Sequence, residues 1–165
     1  MSIAESNPLR RAAILGLKIT AALAWIAPLL TRLVIGMGLH FTGHGKLQNL
    51  DRTTSFFASL GIPFAHANAI FVATLEFVGG LCLVLGLGTR FFAFLLSCTL
   101  LVAVLTADRD DFVKKFPADL TDVTSFVYLM FLIWLALYGA GVVSLDFFLA
   151  KWLKLDNPRD NGSAV

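Results

Sequence analysis

The sequence predicts an all-α integral membrane protein: an antiparallel four-helix bundle with an interfacial lid helix in the first outer loop. Two observations carry this prediction. Of 165 residues, 58% are hydrophobic and only 15% are charged, with a mean hydropathy of +0.80, far from the composition of soluble domains. Four segments, near Ala12–Phe41, Ala65–Leu87, Thr89–Ala107 and Leu120–Ala140, also approach or exceed the roughly 20 residues that cross a hydrocarbon core of about 30 Å. They define a transmembrane domain over residues 12–156, flanked by a polar N-terminal tail, residues 1–11, and a Gly/Ser/Pro-containing tail, residues 157–165, expected to be disordered.

The first segment is longer than a span needs. It is expected to tilt, or to begin as an interfacial helix carrying Lys18, with a kink at Pro28. No small-x-small cleavage site follows it, so it reads as a permanent helix rather than a signal peptide. In the next connection, "TGHGKLQNLDRTTSFFASLGIPFAHAN", Thr53 or Thr54 can cap a short helix. That helix would lay Phe56, Phe57 and Leu60 on the bilayer or the bundle and stop at Gly61 and Pro63. This is the predicted lid.

"GLGTRFF" is a turn too short to leave the surface, so the second and third spans form an antiparallel hairpin. "DRDDFVKKFPADLTD" reads as a solvated loop. After the fourth span, Ser144 can cap an amphipathic stretch with Phe147, Phe148 and Trp152 on one side and Lys151 and Lys154 on the other.

Charge distribution sets the expected topology. Arg10, Arg11, Lys18, Arg90, Lys151, Lys154 and Arg159 share the side of both termini, against Lys46, Arg52, Arg109, Lys114 and Lys115 opposite. The positive-inside rule then puts both termini in the cytoplasm. A net charge of +2 and the absence of a basic block interleaved with aromatics exclude a nucleic-acid surface. Cys82 and Cys98 stand on different predicted helices in no CxxC arrangement and read as small packing residues.

The candidate site residues are the charges at membrane depth. Counted from helix ends, Arg32 lies about 14 Å and Glu76 about 17 Å below the outer surface at 1.5 Å per residue. An isolated charge there costs about 3 kcal/mol or more. Arg32 and Glu76 are therefore expected to meet, or to bracket one polar pocket. Arg32, Gly36, His40 and His44 recur every four residues along one helix stripe, and Gly79 and Gly80 follow Glu76. Asp122 enters the fourth span from the same side. The expected outward cavity thus contains Arg32, His40, His44, Lys46, Glu76 and Asp122. No metal site is expected, because the third histidine, His66, begins another helix.

These motifs carry a resemblance. "RLVIGMGLHFTGHGKL", "FFASLGIP", "LEFVGGLCLVLGLGTR" and "GAGVVSLD" follow in the order and spacing of the DoxX family of small four-helix bacterial membrane proteins, over roughly residues 29–148. His40 and His44 lie outside that pattern, and Asp122 stands where the family often has Asn or Glu. The resemblance implies a multi-pass subunit of the bacterial cytoplasmic (inner) membrane, linked to quinone or thiol redox chemistry and working with a protein partner of a redox complex. It maps the family's Arg onto Arg32, its Gly-Lys onto Gly45 and Lys46, its Glu onto Glu76, and its Thr-Arg turn onto Thr89 and Arg90.

Three functions compete. In a quinone-reactive subunit, Arg32 and Lys46 supply positive field, Glu76 exchanges protons, and His40 or His44 relays them to water. The catalytic candidates are then Glu76 and Arg32, and the cofactor is a non-covalent quinone. The alternatives are a small non-enzymatic carrier or channel-like protein and a structural anchor for a soluble enzyme. The bilayer is a partner in all three, and homo-oligomerisation is compatible with each.

Overall fold

A computed structural model describes residues 8–153, with side chains from Arg11 onward. Among these residues all regular structure is helical: α1 (Pro8–Leu23), α2 (Ile26–Gln48), α3 (Leu50–Ser59), α4 (Ala65–Leu85), α5 (Thr89–Thr106), α6 (Arg109–Lys115), α7 (Thr124–Tyr138) and α8 (Leu145–Trp152), with a 3₁₀ turn at Leu120–Asp122. Three stretches are long and apolar enough to cross a membrane: Arg11–Gln48, α4 and α5. The fourth expected span is shorter than predicted. Its first residues form the 3₁₀ turn, Val123 is extended, and the 15 residues of α7 reach only about 22 Å at 1.5 Å per residue.

The first expected span is two helices. The chain turns at Ala24 and Trp25, so Pro28 is the third residue of α2, where no intrahelical N–H is lost. It starts a helix instead of kinking one. The α1 side chains from Arg11 to Leu23 are all exposed. At its other end α2 runs seven residues past the expected stop at Phe41, through Gly43, His44 and Gly45 to Gln48.

Gly43 has a packing reason for being there. A β-carbon at Gly43 would lie 2.3 Å from the Phe77 backbone nitrogen, and one at Gly80 would lie 2.5 Å from that of His40. α2 and α4 therefore touch backbone to backbone, the close approach that small residues allow between membrane helices. Gly79 faces the other way, toward Phe92 and Leu96 of α5. The two adjacent glycines thus seat α4 between α2 and α5. α7 packs on α5 and, less extensively, on α2. Leu39, Leu75, Leu83, Leu96, Leu132 and Leu135 fill the space between them.

Elsewhere local chemistry decides the boundaries. Gly86 (φ +70°) and Gly88 (φ +56°) make the α4–α5 turn, and Leu87 N–H donates to the Cys82 carbonyl at 2.8 Å. α3 begins at Leu50 after a break at Asn49, earlier than the expected threonine cap; the Thr53 hydroxyl donates instead to the Asn49 carbonyl at 3.0 Å. Its end before Gly61 (φ +73°) and Pro63 agrees with expectation.

The expected solvated loop after α5 contains α6, whose first turn carries Asp110 and Asp111 and whose last turn carries Lys114 and Lys115. Those charges complement the helix dipole at both ends. Ser144 caps α8 as expected, its hydroxyl accepting from Phe147 N–H at 3.1 Å. Lys154 and the 157–165 tail lie outside the described residues.

Substitution at the α2–α4 contact tests this packing. Gly43→Val is expected to cost upwards of about 1–3 kcal/mol, since its obstacle is backbone and cannot swing away. Gly45→Ala meets nothing within 4 Å and should leave the melting temperature unchanged or raised. Thermal unfolding of both variants in detergent is the check; equal losses would contradict the proposed contact.

Candidate functional site: an ion pair on a cavity wall

The α2–α4 contact determines which charges meet. With Gly43 seated on Phe77, Lys46 lies one turn further along α2 and reaches back to Glu76. Its Nζ donates to both carboxylate oxygens, at 2.6 Å to Oε1 and 2.7 Å to Oε2. The Glu76 side chain is 4% exposed, whereas that of Lys46 is 33% exposed. The ammonium neutralises the buried carboxylate and still reaches open space.

That space is a cavity of about 970 Å³ with Lys46 and Glu76 on its wall. Phe56 and Phe57 of α3, Leu60 just after it, Phe71 and Val72 of α4, and Cys98, Thr99 and Val102 of α5 also line it. Most of its surface is hydrocarbon. The other charged side chains on it are Arg52 of α3 and Asp108, between α5 and α6. A largely apolar chamber with a few charged, hydrogen-bonding groups is the usual form of a site for a small organic ligand.

Arg32 is not part of it. It sits near the opposite end of α2, 1% exposed, with Nη2 donating to the Val143 carbonyl. The guanidinium lies so close against the α4–α5 turn that a β-carbon at Gly86 would overlap it. Asp146 acts on it electrostatically. The same carboxylate accepts from Gly88 N–H at 2.6 Å and Thr89 N–H at 2.9 Å, capping α5. The expected Arg32–Glu76 meeting therefore does not occur. The depth argument ended the helix at Phe41, whereas α2 ends at Gln48; Arg32 is 16 residues from that end, about 24 Å at 1.5 Å per residue.

The other predicted members also separate. His40 lies between α2 and α4, its Nδ1 2.9 Å from the Phe77 carbonyl oxygen and its ring stacked on Phe77 at 4.4 Å. His44 is exposed beside Gln48. Asp122 is exposed in the 3₁₀ turn. None of the three lines the cavity. No cluster of three metal-ligating side chains occurs among the described residues.

Comparison with known proteins bears out the family resemblance. The DoxX family model matches residues 27–109. The chain belongs to the DoxX family. It is 34% identical over 134 residues to "Putative oxidoreductase CatD" of Bacillus subtilis (strain 168), covering 80% of this chain and 93% of that protein. No solved structure matches. Family membership together with the long apolar helices identifies a membrane protein.

Two features of this DoxX protein escaped the sequence reading. "GAGVVSLD" was legible as a motif, but its task was not: Val143 and Asp146 serve Arg32 and the start of α5. The cavity residues Arg52 and Cys98 had no distinguishing signal, because only the fold shows that α3 and α5 border one space.

A mutant cycle separates the pairings. Lys46→Met leaves a buried carboxylate unpartnered and is expected to destabilise the DoxX fold by about 3–5 kcal/mol, with much of the loss recovered in Lys46→Met/Glu76→Leu. Arg32→Met and Glu76→Leu should add to within about 0.5 kcal/mol, as distant sites do. Denaturant unfolding in detergent measures both cycles. A large Arg32–Glu76 coupling with none between Lys46 and Glu76 would refute the assignment.

Proposed function

We propose that this chain is a membrane subunit of a quinone- or thiol-linked redox system, and that the cavity beside Lys46 and Glu76 binds a quinone headgroup or small redox substrate. The observation that carries the reading is the bidentate Lys46–Glu76 pair, buried on its acid side and open on its amine side, in a largely apolar chamber. The CatD relative's name, an oxidoreductase, points the same way. In this reading α2, α4, α5 and α7 form an antiparallel four-helix bundle in the bacterial inner membrane, both termini are cytoplasmic, and α3 is a lid over an outward cavity. The packing of α3 on α4 and of α2 on α4 and α7 supports that arrangement.

The residues present fit a quinone. An ammonium has three donors, and Lys46 spends two on Glu76. The third is available to a carbonyl oxygen, while Phe56, Phe57 and Val72 offer apolar surface to a ring. A bound quinone supplies two-electron, two-proton redox chemistry. Lys46 Nζ orients the headgroup and donates a hydrogen bond to it. Glu76, in contact with that nitrogen, accepts or returns a proton at its carboxylate oxygens. Electrons come from a protein partner or a small thiol or sulfur donor. Arg32, His40, His44 and Asp122 have no part in this version of the site.

A ubiquinone or menaquinone analogue should raise the melting temperature of the purified protein, by about 2.7 kcal/mol of stabilisation at a hundredfold excess over Kd. In Glu76→Gln, which loses the ion pair, the shift should largely disappear. Stabilisation that is equal in both proteins would remove the pair from the binding site.

A further inference from the structure

The cavity wall is unequal on its different sides. At one part it carries Arg52 and Asp108; elsewhere it has Phe56 on α3, Phe71 on α4 and Val102 on α5. These three are 51%, 55% and 49% exposed, so they stand at a mouth and not in a packed seam. Depth decides what that mouth faces. Val102 is four residues inside the end of α5 and Glu76 is 11 residues inside α4, about 6 Å and about 17 Å from those helix ends at 1.5 Å per residue. α5 is long and apolar enough to cross the membrane, so a Val102 opening lies against hydrocarbon. α3, which forms the other border, packs principally on α4, leaving the α3–α5 side open.

A water-soluble substrate has no use for such an exit, because its surface would have to leave water for the apolar Phe56, Phe71 and Val102 there. An amphiphile dissolved in the bilayer has the matching division: a polar head for the Lys46–Glu76 pair and a hydrocarbon tail already at home in the opening.

We propose that the ligand of this cavity is a bilayer-dissolved amphiphile that enters sideways between α3 and α5, its head at Lys46–Glu76 and its tail lying along Phe56, Phe71 and Val102. The inference rests on the reading above that the cavity is the binding site, and narrows its ligand to the lipid-soluble class.

The test uses the full chain in phosphatidylcholine nanodiscs and two probes with one benzoquinone head, one bearing a decyl tail with a terminal diazirine and the other only a methyl group. On illumination, crosslinks of the tailed probe should fall on α3 and α5 around Phe56 and Val102, and excess unlabelled decyl-quinone should compete them away. Val102→Trp, at an exposed position, should keep the wild-type melting temperature yet weaken the tailed probe at least tenfold and the methyl probe little.

The failures are distinguishable. If both probes bind and depend on Glu76, but crosslinks fall elsewhere and Val102→Trp changes nothing, sideways entry is wrong while the site survives. If neither probe binds, the site reading falls and takes this inference with it.

Discussion

The backbone contact between α2 and α4 is the constraint from which the rest follows. Because Gly43 has no room for a β-carbon over Phe77 and Gly80 none under His40, the two helices have one vertical alignment available. That alignment puts Lys46 within reach of Glu76 and carries Arg32 to the level of the Gly86 turn. A shift of one helical turn would leave a buried carboxylate and a buried guanidinium each without its partner, at a cost of several kcal/mol. The glycines and the charges thus specify the same register from two directions, the agreement between levels that marks a foldable sequence.

The two buried charges are handled in opposite ways. Arg32 is enclosed: a carbonyl from the α7–α8 connection receives one of its nitrogens, and Asp146 supplies compensating field while capping α5. This knot ties α2, α4, α5 and α8 together near one end of the helices. Glu76 is compensated by a lysine whose stem runs along the cavity and whose head remains a third exposed. Only the second arrangement presents a charged donor to a space that another molecule can occupy. The division puts an enclosed anchor at one end and an accessible charge at the other.

Much of this was legible in the sequence, and the misplacements have physical causes. Long apolar segments, the hairpin glycines and the Ser144 cap act locally, so α4, α5 and α8 follow from composition and spacing. The end of α2 did not, because two glycines flanking His44 resemble a helix stop. In the fold Gly43 is there for close approach, and tertiary packing outweighs its low helix propensity. From that single displaced boundary came the Arg32–Glu76 expectation. Lys46 and Glu76 were recognisable as unusual charges, but which cation met the acid depended on an alignment visible only once α4 was beside α2. The i,i+4 histidines misled for a related reason: spacing places side chains on one stripe, yet His40 turns to the Phe77 carbonyl and away from the cavity.

The two sites also differ in what stability demands of them. Arg32 has every reason to stay where it is, since any movement of α8 or the Gly86 turn would strip a buried guanidinium of its acceptor. The Lys46–Glu76 pair borders α3, a ten-residue helix among whose residues only Thr53 is buried. Few buried residues mean a lower local cost of opening for α3 than for the helices behind it. The least buried of these helices and the accessible charge then share one end of the molecule, with the tightly packed α2–α4 seam between that end and the Arg32 knot. A ligand entering beside α3 would disturb neither the register nor the buried guanidinium.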